Sequence, residues 1–143
     1  IDIETIKQSE YFSSYWPRLS TSDNGWINWS ESIISLERFI CAFDKPYEGC
    51  KTFLNSSKVF IRSVMSDFGD QSFHKFQSGL IYRKNSSWLM VAADGGSLII
   101  QEVLDENGEN IIKDIRLGDR FVTPSKFLET RLGRVVYTPQ GKK

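Results

Sequence analysis

The sequence predicts a mainly β domain with flanking helices, and two observations carry that prediction. From residue 58 onward, apolar and polar residues alternate in several short segments separated by Asn, Asp, Gly and Ser. Before them, apolar residues recur at steps of three and four, which is the period of an amphipathic helix. Many short strands with short connections indicate an antiparallel barrel or a sandwich, and closing a sheet removes its exposed edges.

The amphipathic helix comes first. Ser30 or Ser32 can cap its first turn. Pro46 and Gly49 end it, because proline cannot continue the hydrogen-bond ladder and glycine frees the backbone to reverse. The apolar stripe of the helix is formed by Ile33, Leu36, Ile40 and Phe43.

The strands follow. The alternation predicts strands over 58–64, 79–83, 88–93 and 97–104, with "KNSS" and "DGGS" as turns, and a further strand from Ile111 after the turn "ENG". Thr123 and Pro124 then predict a short closing helix, with Thr as its cap and Pro at its first position. We expect that helix to run towards Arg131 and to stop at Gly133.

These elements divide the chain into three parts. Residues 1–24 are predicted to be a linker that packs down by its aromatic rings, with Pro17 holding "YFSSYWPRL" extended. Residues 25–133 form the β-barrel domain, and 134–143 a basic tail. The chain begins without Met, which fits a fragment of a longer polypeptide.

Composition and charge narrow the function classes. The 143 residues have a formal net charge of zero, which argues against a protein that holds long nucleic acid mainly through phosphates. The charge is uneven, since residues 120–143 carry six basic side chains and one acidic. No apolar run reaches the roughly 18 residues of a membrane span, and no signal peptide is visible, so we expect a cytoplasmic protein without a membrane partner.

Reactive side chains form no recognisable catalytic or metal motif. His74, the one histidine, has no nucleophile or carboxylate at an obvious spacing and is read as an exposed loop residue. Cys41 and Cys50 are expected to be free thiols, although a bridge between them is geometrically conceivable. "ADGGS" reads as a hairpin turn rather than a phosphate loop. The acidic residues of the following turn are expected to be solvated: Asp105, Glu106 and Glu109.

The aromatic residues near the start allow two interpretations. Trp16, Trp26 and Trp29 beside Arg18 could form a stacking platform for a sugar, nucleobase or pterin. Alternatively, the rings clamp the linker onto the barrel by burying their area. The alternation of Trp with Ile27 is typical of a docked strand and favours this packing role.

Several stretches in order resemble one family. "GWINWSESIISLERFICAFDKPYEGCKT" (25–52) resembles the start of the C-terminal domain of the formyltransferase family, which has an IDW turn, a helix ending in IRAF and a Pro-x-x-Gly-Ala-x-Thr bend. "SYWPRL" (14–19) is similar to its linker, "VAADGGSLIIQEV" (91–103) to its hairpin, and "TPSKFLETRLG" (123–133) to its closing helix. The differences are Asn28 for Asp, Cys41 for Arg and Cys50 for Ala.

The resemblance implies an OB-like open antiparallel barrel, preceded by one amphipathic helix and closed by a short C-terminal helix. It also implies a Rossmann-like catalytic domain in the same polypeptide, with 10-formyltetrahydrofolate as the parent protein's formyl donor. The family's catalytic Asn, His and Asp lie in that other domain, and His74 does not match them. We therefore expect no catalytic residue, cofactor site or metal site in this chain.

The resemblance leaves the formyl acceptor open. Cys41 removes a fixed positive charge that Arg38, one turn earlier, can partly replace. Together with zero net charge, this favours a small amino-bearing acceptor such as an amino sugar over tRNA. A tRNA-binding domain of a methionyl-tRNA formyltransferase, a free-standing OB-like nucleic-acid-binding module and an oligomerisation domain are the alternatives. The candidate substrate-binding residues are Trp16, Arg18, Trp26, Trp29 and Arg38.

Overall fold

The computed structural model describes residues 19–70 and 73–133, and the backbone of a short hairpin at 137–138 and 141–142. Most of the linker and tail predicted from the sequence lies outside these residues. Three helices are present in the described part: α1 (Thr21–Asn24), α2 (Ile33–Ala42) and α3 (Ser125–Arg131). The strands are β1 (Cys50–Leu54), β2 (Ser57–Asp67), β3 (Ile81–Lys84), β4 (Leu89–Ala93), β5 (Gly96–Leu104), β6 (Phe121–Val122), β7 (Tyr137–Thr138) and β8 (Gly141–Lys142).

Six strands form one antiparallel sheet in the order β3-β4-β5-β2-β1-β6. The sheet curls until its two edges meet. Phe121 N donates to Gly79 O at 2.9 Å, and Ile81 N donates to Asp119 O at 2.9 Å. These bonds draw β6 to the start of β3 and satisfy edge groups that would otherwise be unpaired. The predicted OB-like open barrel is confirmed.

The curl depends on a local bend in β2, the longest strand. Ser63 has a φ of 58°, a left-handed conformation that is uncommon for a residue other than glycine. Its N–H donates to Asp44 Oδ2 at 2.9 Å, which stabilises the bend from the loop after α2. Because the strand turns at this point, Ile61 and Val64, three residues apart, both pack against the core.

Helix α2 packs its apolar stripe against the curled sheet. Ser32 is its cap, since Ser32 Oγ accepts from Ser35 N at 3.3 Å. Leu36 and Ile40 are completely buried. The predicted amphipathic helix is therefore confirmed, and it begins at Ile33. None of the helices in the described residues is long and apolar enough to cross a membrane.

The bend after α2 also matches the expectation. Gly49 has a φ of 102°, and a Cβ there would lie 2.9 Å from the carbonyl oxygen of Ile61. Glycine therefore allows both the reversal and the close approach. Beyond it, β1 begins at Cys50, which is buried, whereas Cys41 is exposed. Both thiols are free, as expected.

Two local predictions are wrong. No strand begins at Ile111; a 3₁₀ turn spans Ile112–Asp114 instead. The Asn110 side chain accepts from Ile112 N at 3.2 Å, which pulls the backbone out of an extended path and buries Ile112.

The second error concerns the start of α3. Thr123 does not cap this helix: Pro124 occupies the cap position and makes no side-chain capping bond. The Thr123 hydroxyl instead lies 2.8 Å from Thr52 Oγ1. A tertiary hydrogen bond has therefore replaced the local one.

Candidate binding surface

Trp26 lies behind the barrel wall in an aromatic cluster. The residue is 5% exposed, and its ring stacks on Phe53, with centroids 5.6 Å apart and planes at 7°. Phe127 of α3 packs at 4.3 Å, and Lys51 Nζ lies 4.5 Å from the ring centroid. The Trp26 ring therefore contacts the protein's own side chains.

Trp29 is also interior. It stacks on Phe121 with ring centroids 5.3 Å apart, and its Nε1 donates to Thr52 Oγ1 at 2.9 Å. Thr52 in turn contacts Thr123. This buried network joins the segment before α2 to β1 and to the residue after β6, so the indole is both packed and hydrogen-bonded.

A groove with a volume of about 710 Å³ lies beside β6. We call it the large groove. Its floor is apolar and its rim carries Asn55, Asp119, Arg120 and Lys126. A mostly apolar floor with a few polar groups is typical of small-molecule sites. The floor is formed by Phe53, Val122, Pro124 and Phe127.

A second groove of about 320 Å³ lies on the other side of β6. We call it the small groove. It shares Arg120 and Val122 with the large groove, and Lys75 and Ser78 line its opposite wall. The two grooves therefore meet across the strand that closes the barrel.

The charges of these grooves are mainly positive and uncompensated. No carboxylate among the described residues forms an ion pair with Lys75, Arg120 or Lys126. Lys126 Nζ lies 5.0 Å from the centroid of the Phe127 ring. The acid at the rim is Asp119, whose Oδ2 already accepts from Arg116 N at 3.1 Å.

Ser78 has an unusual hydroxyl. The residue is 8% exposed, and its Oγ has no hydrogen-bond partner within 19–70 and 73–133. Buried polar groups are normally hydrogen-bonded, so an isolated hydroxyl on the wall of a groove indicates an unused interaction.

The residues predicted from the sequence are distributed differently. Trp16 and Arg18 lie outside the described residues. Trp26 lines neither groove, and Trp29 lines the small groove from its buried position. Arg38 is exposed on α2, away from both grooves.

Cys41 lies on the same helix as Arg38 and is exposed. Partial burial of the thiol raises its pKa, and the carboxylates of Glu37 and Asp44 add to the shift. The thiolate is therefore disfavoured at neutral pH, and Cys41 does not have the environment of a nucleophile.

Sequence reasoning missed the residues around β6. Arg120 and Lys126 belong to the basic C-terminal segment, so their charge was visible, but nothing local connected them with Lys75 or Ser78. Lys75, Ser78 and Arg120 line one groove because hydrogen bonds close the barrel between residues 79–81 and 119–121.

A family model described as "Formyl transferase, C-terminal domain" matches residues 19–115. The matched part includes α1, α2 and β1 to β5, and it ends before β6 and α3. No curated protein matches the chain.

Proposed function

The chain belongs to the family of formyltransferase C-terminal domains, and from this premise we propose that it positions the acceptor for a 10-formyltetrahydrofolate-dependent formyltransferase. A Rossmann-like catalytic domain in the same polypeptide would carry out the transfer. Family membership is the observation that carries the proposal. The grooves on the surface of the domain support the proposal, because they offer places where an acceptor could bind.

We expect the formyl donor to bind in the catalytic domain rather than in this chain. When bound, 10-formyltetrahydrofolate supplies the formyl group that passes to an amine. His74 is exposed, its ring stacks on Phe76 with centroids 5.6 Å apart, and its backbone N–H binds the Gln77 side chain. Among the described residues no carboxylate hydrogen-bonds to the imidazole, so His74 lacks a partner that would orient it as a general base.

The acceptor we propose is a small amino-bearing compound such as an amino sugar. The large groove has the size of a small-molecule site, and its rim offers the oxygens of Asn55 and Asp119 to amino and hydroxyl groups. Phe53 provides an aromatic wall of the kind on which sugar rings pack. The zero net charge supports a small acceptor.

tRNA is the second candidate acceptor. It is favoured by the six basic side chains among residues 120–143, against one acidic. Binding of this kind would depend strongly on salt, because each neutralised phosphate releases counterions. Salt dependence therefore separates the two acceptors.

The test starts from the complete coding sequence and the polypeptide that it encodes. A Rossmann-like domain upstream of this chain is expected, and its absence would refute the proposal. Formyl transfer from 10-formyltetrahydrofolate would be measured with a panel of amino sugars and with methionyl-tRNA at two salt concentrations. Transfer to an amino sugar is the expected result, and transfer to tRNA alone would establish the second candidate.

A pair of lysine variants tests the role of the large groove. Lys126→Gln changes its rim, whereas Lys113→Gln changes an exposed lysine that lines neither groove. We expect the first variant to raise KM for the acceptor several-fold with little change in kcat, because it affects binding rather than chemistry. The second variant should behave like the wild type.

A further inference from the structure

The small groove combines two cationic side chains with hydroxyl groups, and none of the described residues that line it is acidic. We propose that it binds the phosphate group of a small-molecule phosphate ester, whose organic part extends over Val122 into the large groove. The proposal goes beyond formyl transfer, since it concerns a binding site that needs neither a formyl donor nor an amine.

The fold holds the two walls of the small groove in a fixed relation. On one wall, Ser78 N donates to Lys75 O at 3.1 Å and closes the turn that carries both residues. On the other wall, Arg120 precedes Phe121, whose N–H donates to Gly79 O at 2.9 Å. A Cβ on Gly79 would lie 2.3 Å from Phe121 O, so this approach is as close as a backbone without a side chain allows.

The chemistry of the walls suits a dianion. Lys75 and Arg120 bring two positive charges that form no ion pair with any described carboxylate. Arginine presents several donors in a planar fork that matches phosphate oxygens, and lysine adds a compact charge. An ester phosphate with a charge near −2 at neutral pH would compensate both side chains together.

Ser78 supplies a neutral donor for the same group. Its hydroxyl is enclosed and has no partner in the described structure, whereas the Thr123 hydroxyl in the same groove is already engaged with Thr52. Because this oxygen is enclosed, the Ser78 side chain would have to change its χ1 rotamer to reach a bound phosphate. A bound oxygen would then satisfy a polar group that the protein alone leaves unsatisfied.

The shape of the surface favours a small ester over a polymer. Beyond Arg120 and Val122 the surface becomes the apolar floor of the large groove, which suits a flat or apolar organic group. Asp119 at that rim would repel a continuing chain of phosphates. Nucleic acid bound through its backbone would need an extended basic track instead.

The experiment is calorimetric titration of the full polypeptide that carries this chain, at constant ionic strength and without folate. The probes are inorganic phosphate, ribose 5-phosphate, adenosine monophosphate and adenosine, with acetate as a monoanion control. We expect the three phosphates to bind, adenosine monophosphate most tightly because of its planar base, and acetate and adenosine to bind at least tenfold more weakly than adenosine monophosphate.

Matched variants locate the binding. Lys75→Gln and Arg120→Gln should each weaken phosphate binding by about tenfold, as expected for loss of a charge-assisted hydrogen bond. Lys113→Gln and Arg116→Gln, at exposed residues that line neither groove, should bind like the wild type. Ser78→Ala should weaken phosphate binding a few-fold. Arg120→Lys keeps the positive charge and should retain most of the phosphate affinity, so it serves as the test if Arg120→Gln fails to fold.

Three results would overturn the proposal. The first is phosphate binding that is unchanged both in Lys75→Gln and in the double variant Lys75→Gln/Arg120→Lys. The anion would then bind in another domain. The second is equal weakening in the Lys113 and Arg116 controls, which indicates non-specific charge attraction. The third is a wild-type polypeptide that binds acetate as tightly as adenosine monophosphate, or that binds neither of them. Because no formyl transfer is measured, failure here is distinguishable from failure of the proposed function.

Discussion

At the scale of single residues, Tyr82 has a side-chain pKa that is clearly shifted by its surroundings. Its hydroxyl donates to Asp70 Oδ2 and also lies within hydrogen-bond distance of Ser97 Oγ, which is completely buried. Arg83 Nη1 donates to the same Asp70 carboxylate at 3.2 Å. This cluster fastens the segment after β2 to strands β3 and β5.

The first prediction concerns the pH dependence of stability. Burial raises the pKa of Tyr82 to about 12, and the hydrogen bond to Asp70 contributes in the same direction. The phenol of an unfolded chain has a pKa of about 10. The stabilisation by Tyr82 should therefore be complete below pH 10 and decrease as the pH rises towards 12.

Tyr82→Phe tests this prediction. The difference in unfolding free energy between the wild type and this variant, measured by urea denaturation from pH 8 to 11.5, should stay constant up to about pH 10 and then shrink. Tyr47→Phe, at a tyrosine that is 55% exposed, is the matched control. A Tyr82→Phe difference that stays constant over the whole range would contradict the prediction.

At the scale of secondary-structure elements, β6 matters more than its length suggests. It contains two residues, yet it pairs with β1 on one side and bonds to Gly79 on the other. Phe121 points inward and is completely buried against Trp29, whereas Val122 points outward and is 51% exposed. One strand thus supplies both a core side chain and the ridge between the two grooves.

The second prediction compares these neighbours. Phe121→Ala should lower the free energy of unfolding by about 3–5 kcal/mol, because it removes a buried ring and leaves a cavity. Val122→Ala should change it by no more than about 0.5 kcal/mol, as is usual at exposed positions. Equilibrium denaturation of both variants measures the difference, and equal effects would show that β6 does not close the core as described.

At the scale of the whole molecule, Arg131 joins the two ends of the described domain. Its Nη1 donates to Trp26 O at 3.0 Å and its Nη2 to Glu31 Oε1 at 2.7 Å. The guanidinium also lies 4.6 Å from the centroid of the Phe39 ring. Helix α3 is therefore held to the segment around α2 by an arginine that is only 15% exposed.

The third prediction concerns this arginine. Arg131→Met should destabilise the domain by about 1–3 kcal/mol, because the Trp26 carbonyl and the Glu31 carboxylate lose a charged partner. Arg116→Met, at an exposed arginine with no described ion pair, is the control and should change stability by about 0.5 kcal/mol or less. Thermal and urea unfolding of both variants would show the contrast, and indistinguishable curves would argue against the clamp.

Local sequence patterns were sufficient to predict the elements that depend on interactions between residues a few positions apart. The period of α2, the alternation in β2 and β5 and the "DGGS" hairpin were all predictable, because each depends on residues a few positions apart. The errors at Ile111 and Thr123 have the opposite cause. In the first, the Asn110 side chain redirects the backbone, and in the second a tertiary bond to Thr52 takes the capping hydroxyl.

The sequence by itself therefore determined the mainly β class, the leading helix, the free thiols and the family. Hydrophobic periodicity and short motifs are local properties, so they can be recognised in the sequence alone. Only the tertiary structure decided which side chains line the two grooves. Lys75 and Arg120 are far apart in the chain and become neighbours because backbone hydrogen bonds at Gly79 and Phe121 close the barrel. Long-range closure of this kind leaves no periodic signal in the sequence.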